Sequence, residues 1–135
     1  MTRDEIGEGV ADALVQALGV SRSEITAETS LIGDLEAESI DFLDIVFRLE
    51  KGFGIEVARG ELFPQELLRD PAFVDNGRLT AAGIAALRER FGFTDLSALQ
   101  PGASVDDLMG ELLTVNLIVD YVESKLPAHA AVQQV

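Results

Sequence analysis

Apolar residues recur at every fourth position near the start of the chain, which is the spacing of one face of a helix. Thr2 and Glu5 form a capping-box pattern before this face, and Gly19 is a typical residue to follow the last turn of a helix. The pattern therefore predicts a first helix that begins at about residue 3, followed by an ordered loop over residues 20–38. The residues that define the face are Ile6, Val10, Leu14 and Leu18.

A second amphipathic pattern begins at Ser39 or the residue beside it. Charged residues fall largely on one side of this pattern, so we expect the opposite, apolar side to be buried. Gly52 and Gly54 indicate the end of the helix, and residues 55–57 are interpreted as a short extended exit. The apolar side consists of Ile40, Leu43, Val46, Phe47 and Leu49.

The segment over residues 60–103 has a less regular pattern. Residues 61–70 favour a short helix, in which Pro64 is tolerated because it lies in the first turn. Asp70-Pro71 and Asp75-Asn76-Gly77 are turn signals. This segment is rich in large apolar side chains, so we expect it to pack onto the rest of the protein and not to extend freely into solvent.

Two further helices are predicted toward the end of the chain. Thr80 is a suitable cap for a helix over residues 81–90, and we expect Ile84 and Leu87 on that helix to make the contact with the rest of the protein. Ser104 is a suitable cap for a helical pattern that continues to about Leu126. Thr114 either begins a separate last helix or lies within one long helix, and the pattern alone leaves both possibilities open.

Composition then excludes several classes of function. The formal net charge of −14 is unfavourable for binding a phosphate backbone or an anionic membrane surface. There are no cysteines, so disulfides, thiolate metal sites and cysteine nucleophiles are excluded. The single histidine, His129, lies near the C-terminus, and no acidic calcium-loop motif is present, so we expect no metal site and no histidine-based catalysis. We expect no membrane span and a location in the cytoplasm, because neither a long apolar run nor a signal-peptide pattern is present. We also expect a monomer, although the sequence leaves the oligomeric state open.

The segment with the most chemical information is Glu38-Ser39-Ile40, which follows Asp34-Leu35-Glu36-Ala37. It places a hydroxyl group at the start of an acidic amphipathic helix. The N-terminus of a helix has unpaired N–H groups and a partial positive charge, which favour a phosphate group there. Ser39 could also be an ordinary helix cap that is never modified.

This segment resembles the attachment motif of the acyl carrier protein family, which is Asp-Ser-Leu after an Asp-Leu-Gly type of turn. Glu38 replaces the usual Asp, Ile40 replaces Leu, and Lys51 stands where the family is usually acidic. The chain also spends far more residues between its second and last helices than ordinary carriers do. The residues that fit the family pattern beyond the motif are Asp41, Asp44, Ile45, Val46, Leu49, Glu50, Phe53, Glu56 and Val57, with Thr114-Val115 and residues 118–122 in the last helix.

The resemblance implies an all-α, four-helix bundle of the acyl-carrier type with additional helices between the second and last core helices. Together with the length of the chain, it indicates a single domain over residues 1–126 with an insertion over about 60–112. Pro127 ends the last helix, and we expect a frayed tail over 127–135. The resemblance also implies a protein that is not an enzyme. Ser39 would carry a 4′-phosphopantetheine arm derived from coenzyme A, which holds acyl groups as thioesters for fatty-acid or specialised lipid biosynthesis. The residues expected to line the core and any acyl tunnel are Ile40, Leu43, Val46, Phe47, Val115, Ile118 and Val122.

The implied partners are a phosphopantetheinyl transferase and acyl-handling enzymes with basic surfaces, which would dock on Glu38, Asp41, Asp44 and Glu50. These acids could instead form only a solvated face. The cargo could also be that of a polyketide or an aminoacyl or peptidyl carrier, and an unmodified carrier-like subunit is a third possibility. The insertion either only enlarges the core, or also shapes a cavity for an acyl chain or adds a surface for a specific partner.

Overall fold

A computed structural model of the chain describes residues 2–58, 60–64, 66–94, 96–97 and 99–126. The tail over 127–135, which includes His129 and for which fraying is expected, lies outside the described residues. The elements are helices α1 (Arg3–Leu18), α2 (Ser39–Phe53), α3 (Ala81–Arg90), α4 (Val105–Leu112) and α5 (Val115–Lys125), strands β1 (Val74–Asp75) and β2 (Arg78–Leu79), and 3₁₀ turns at Arg22–Glu24 and Leu67–Arg69. The expected all-α bundle with additional helices is confirmed.

Helix α1 begins and ends at the residues that its sequence pattern indicates. The backbone N–H of Glu5 donates to Thr2 Oγ1 at 3.1 Å, and the backbone N–H of Thr2 donates to Glu5 Oε1 at 2.7 Å. At the other end Gly19 adopts the left-handed conformation with φ of 69°, a conformation that favours glycine. Both ends are therefore determined by residues close in sequence.

The main core lies between α1, α2 and α5. It is formed by the apolar faces of α1 and α5, by one face of α2, and by Leu31 and Leu35 from the loop between α1 and α2. Val115, Ile118 and Val122, which were expected in the core, are buried there. These three helices thus form the part of the fold that carries Ser39.

Helices α4 and α5 are separate, and a tertiary contact explains the break between them. The backbone N–H of Leu31 donates to the carbonyl of Leu113 at 2.8 Å, and the backbone N–H of Val115 donates to the carbonyl of Thr29 at 3.0 Å. These bonds hold residues 113–115 beside the loop, and Thr114 between them has an extended backbone that separates the two helices. Thr114 then caps α5 by accepting a hydrogen bond from the N–H of Leu117 at 3.2 Å.

Helix α2 buries a different face from the expected one. Phe42, Ile45 and Leu49 are buried, whereas Ile40, Leu43 and Phe47 are 73%, 74% and 54% exposed. The prediction that these last three residues lie in the core is wrong. Both sets repeat at the spacing of a helix, so periodicity could not distinguish them; the packing of α2 against α1 decided which set is buried.

The insertion builds a second core of its own. Ile84 and Leu87 are buried in it, so the prediction that they contact the bundle is wrong. The short helix expected over residues 61–70 is reduced to the 3₁₀ turn, and the expected turn at Asn76-Gly77 joins β1 to β2, a pair of strands that was not predicted. Both turn residues have positive φ, 53° and 75°, as a tight hairpin requires. The second core consists of Leu67, Leu79, Ile84, Leu87, Phe91, Leu96 and Leu108.

Phe93 and Leu112 join the two cores, since each packs against both. The ring of Phe93 meets the rings of Tyr121 and Phe91 edge to face, with centroid distances of 5.2 and 5.7 Å. Edge-to-face contacts of this kind are favourable arrangements of aromatic pairs. The insertion is thus packed onto the bundle, as expected, but through different residues.

Candidate functional site

Ser39 is the first residue of α2, and its side chain is exposed. The N-cap is Glu38, whose backbone N–H donates to Asp41 Oδ2 at 2.8 Å. The cap therefore lies one residue before the serine. The hydroxyl group of Ser39 projects from the end of the helix where anions are favoured.

The loop before Ser39 is held in place by hydrogen bonds. Ser30 accepts a bond through its carbonyl from the N–H of Leu35 at 3.1 Å, and its hydroxyl donates to the carbonyl of Gly110 at 2.8 Å. The N–H of Ala37 donates to the carbonyl of Leu31 at 2.8 Å, and Leu35 and Ala37 are buried. The loop thus fixes the position of Ser39 at the start of α2.

A cavity of about 600 Å³ lies beside Ser39, between α2 and the first part of the insertion. This volume is typical of small-molecule sites. Phe42 and Phe63 come from opposite walls and their ring centroids are 4.6 Å apart. The wall on α2 consists of Ser39, Phe42, Leu43 and Val46, and the other wall consists of Val57, Ala58, Gly60, Leu62, Phe63, Glu66 and Arg69.

Two carboxylates anchor the second wall to the bundle. The N–H of Val57 donates to Glu50 Oε2 at 2.9 Å, and the N–H of Ala58 donates to Glu61 Oε1 at 2.8 Å. Glu61 also pairs with Lys125 of α5 at 3.0 Å. Burial raises the pKa of Glu61, but hydrogen bonds from Ala58 and Lys125 outweigh it, and the pKa lies below its ordinary value. The wall is therefore held in place by charged groups.

The four residues expected to dock partners all lie on or next to α2, and three of their carboxylates also have partners within the chain. Asp41 closes the helix cap, Asp44 pairs with Arg48 at 3.0 Å, and Glu50 holds Val57. Glu38 is exposed beside Ser39. Docking on these residues stays a prediction.

Sequence reasoning missed two features around Ser39. The first is the exposed apolar stripe of Ile40, Leu43 and Phe47, in which Leu43 also lines the cavity. The second is which residues form the other wall: a cavity shaped by the insertion was an open alternative, but its lining residues were not named. Periodicity could not indicate them because most of the described ones lie outside regular helices and strands.

The described residues contain no group of three or more acidic or histidine side chains that could hold a metal ion. None of the helices in the described part of the chain combines the length and the apolar character needed to cross a bilayer. The features left to explain are the exposed hydroxyl, the cavity and the acidic helix.

Comparison with known proteins concerns the same part of the chain. Residues 8–68 match the family described as "Phosphopantetheine attachment site", a match that includes Ser39 and ends one residue before Arg69. The chain is 40% identical over 57 residues to the acyl carrier protein of Rubrobacter xylanophilus, covering 42% of this chain and 70% of that protein. It is 36% identical over 62 residues to that of Petrotoga mobilis (46% and 73%), and 39% over 61 residues to that of Thermotoga maritima (45% and 75%).

Proposed function

Because the chain belongs to the acyl carrier protein family, we propose that Ser39 is the residue that bears its 4′-phosphopantetheine arm. Members of this family are carriers and not enzymes, and the arm is covalently bound. The observation that supports Ser39 is its position: an exposed hydroxyl at the N-terminus of α2, beside a largely apolar cavity. When bound, the arm supplies a thiol that holds an acyl group as a thioester.

The phosphopantetheine attachment domain implies a transferase as partner, and in our proposal that transferase supplies the base for the exposed Ser39 hydroxyl. In our proposal the transferase removes the hydroxyl proton while Ser39 Oγ forms a bond to the phosphorus of the arm, and the nucleotide half of coenzyme A leaves. Glu38, Asp41 and Asp44 would attract a basic partner surface, and the exposed stripe of Ile40, Leu43 and Phe47 would supply apolar contact. Glu50 would contribute mainly by holding the second wall of the cavity in place, through the hydrogen bond that it accepts from the N–H of Val57.

The cavity supports a cargo with an apolar chain, as in fatty-acid or specialised lipid biosynthesis. Among the described residues that line it, the side chains other than those of Ser39, Glu66 and Arg69 are apolar. Burying an apolar chain in such a site contributes about 25 cal/mol per Å². A polyketide cargo or an aminoacyl or peptidyl cargo would bring more polar groups to the same walls. An apolar and a polar cargo should therefore differ in whether they enter the cavity, and this difference can be tested on loaded protein.

The test of Ser39 compares intact masses after incubation with coenzyme A and a broad transferase. Wild type should gain the mass of one phosphopantetheine, Ser39→Ala should gain none, and the control Ser23→Ala should gain it. Because the cap is Glu38 and Ser39 is exposed, Ser39→Ala should change the free energy of unfolding by less than about 0.5 kcal/mol. A normal mass gain in Ser39→Ala would refute the site, and no gain in wild type with several transferases would support an unmodified subunit.

The same loaded samples test the cargo. Amide signals of Leu62 and Phe63 should shift between the free-thiol form and a form that carries octanoyl, because the chain enters the cavity between their wall and α2. The glycyl form, which is short and polar, is the control and should leave them in place. Unchanged signals with octanoyl would show that the cavity does not receive the cargo.

A further inference from the structure

Arg69 differs from most basic residues of this acidic protein. Arg3, Arg22, Arg48 and Lys125 pair with carboxylates, and Arg78 and Arg88 donate to backbone carbonyls. Among the residues that the structure describes, the side chains of Lys51, Arg69 and Arg90 form neither an ion pair nor a hydrogen bond, and Lys51 lies over the ring of Phe47. Of these three, Arg69 alone lines the cavity that Ser39 also lines.

The backbone that carries Arg69 is well anchored. Its N–H donates to the carbonyl of Glu66 at 3.1 Å, and the N–H of Leu68 donates to the carbonyl of Pro64 at 3.0 Å. Leu67, between them, is buried in the second core. The insertion thus holds an exposed guanidinium at the cavity from a fixed backbone position.

The charge of Arg69 can act within the cavity. A roughly spherical space of this volume would be about 10 Å wide, a little more than the Debye length of about 8 Å at physiological ionic strength, so an anion inside the cavity lies within reach of this charge. Glu66 is the one carboxylate that lines the cavity among the described residues, and it has an interaction of its own. An anion in the cavity would therefore meet Arg69 as an available partner.

We propose that Arg69 binds a singly charged oxyanion carried on the arm of Ser39, and so positions the arm over the cavity. The guanidinium can bind two oxygens of such a group at once. Two groups have this chemistry: the phosphodiester next to Ser39, and a terminal carboxylate on a dicarboxylic cargo. The proposal rests on the proposed function, because both groups arrive with the arm.

The test uses the full-length protein in four forms: unloaded, loaded with the free arm, and loaded with pentanoyl or glutaryl, which differ by a terminal carboxylate. Loading is first checked by intact mass. The Nε–H signal of Arg69 is then followed by NMR together with the ³¹P signal of the arm. A shift of Arg69 on loading with the free arm identifies the phosphodiester as the ligand, and a shift with glutaryl but not with pentanoyl identifies the carboxylate.

Arg90→Gln is the matched control, since Arg90 is also unpaired but lies away from the cavity. If the phosphodiester is the ligand, Arg69→Gln should move the ³¹P signal of the loaded protein, Arg69→Lys should retain part of the wild-type shift, and Arg90→Gln should change nothing. Loaded protein in which Arg69 shifts in none of the forms would overturn this inference alone. Protein that gains no mass would overturn the proposed function, and this inference with it.

Discussion

Gly83 in α3 offers the sharpest test of how the insertion is packed. A Cβ atom at this position would lie 2.3 Å from the carbonyl oxygen of Phe73 and 3.2 Å from Leu79 Cδ2. The Phe73 carbonyl cannot move away freely, because it accepts a hydrogen bond from the N–H of Thr80 at 2.9 Å. Gly83→Ala should therefore push α3 away from the turn that precedes β1.

The expected magnitude follows from two opposing effects. Overpacking of a well-packed site costs about 1–3 kcal/mol. Replacing glycine with alanine inside a helix stabilises by about 0.8–1.0 kcal/mol. Gly110 in α4 is the matched control, because a Cβ there meets nothing within 4 Å and only the favourable effect remains. Gly83→Ala should thus be less stable than Gly110→Ala by about 1–3 kcal/mol, since the propensity gain is common to both.

The assay is chemical denaturation followed by circular dichroism, with both variants compared with wild type. Amide signals of Leu67 and Arg69 should also shift in Gly83→Ala, because α3 packs against the 3₁₀ turn that carries them. Loading of Ser39 should remain intact, since α1, α2 and α5 form a separate core. If Gly83→Ala proves as stable as Gly110→Ala, the close packing of α3 against Phe73 is refuted.

Two further predictions concern Tyr121 and Glu38. Burial and the nearby Glu61 carboxylate raise the pKa of the Tyr121 phenol above its ordinary value. The neutral phenol is therefore favoured in the folded protein. The stability that this preference contributes is fully present below about pH 10, where unfolded tyrosine ionises, and is lost as the pH rises further. Tyr121 is the only tyrosine and tryptophan is absent, so ultraviolet absorbance reports it alone; ionisation near pH 10 in folded protein would contradict the prediction. Glu38→Lys should slow loading at low salt more than the control Glu89→Lys, and equal rates would indicate a merely solvated face.

Several features of the site could be predicted from the sequence because they depend on residues close together in the chain. The start of α2 at Ser39 and the helix caps at Thr2, Thr80 and Ser104 depend on hydrogen bonds between residues three or four positions apart. The acyl-carrier pattern around Ser39 is likewise continuous in sequence. The family and the covalent arm that goes with it were therefore predictable before the structure was known.

Other features depend on contacts between distant segments. The second wall of the cavity requires the ring of Phe63 to lie against that of Phe42, and the hydrophobic pattern of neither segment specifies this contact. The separate core around Leu87 is another such feature, since the residues that bury it come from both sides of α3 in the sequence. A hydrophobic pattern indicates that a side chain will be buried, but not which partner will bury it.

The sequence by itself determined where the helices α1 to α4 begin, how charge is distributed and which serine stands at the acidic helix, because hydrogen bonding at helix ends and helical periodicity act locally. Only the tertiary structure decided which apolar stripe of α2 is buried, since Ile40, Leu43 and Phe47 have the same spacing as the stripe that packs against α1. It also decided the break before α5, where the loop after α1 forms hydrogen bonds with the carbonyl of Leu113 and the N–H of Val115. In both cases two local conformations fit the sequence, and packing with a distant segment selected one of them.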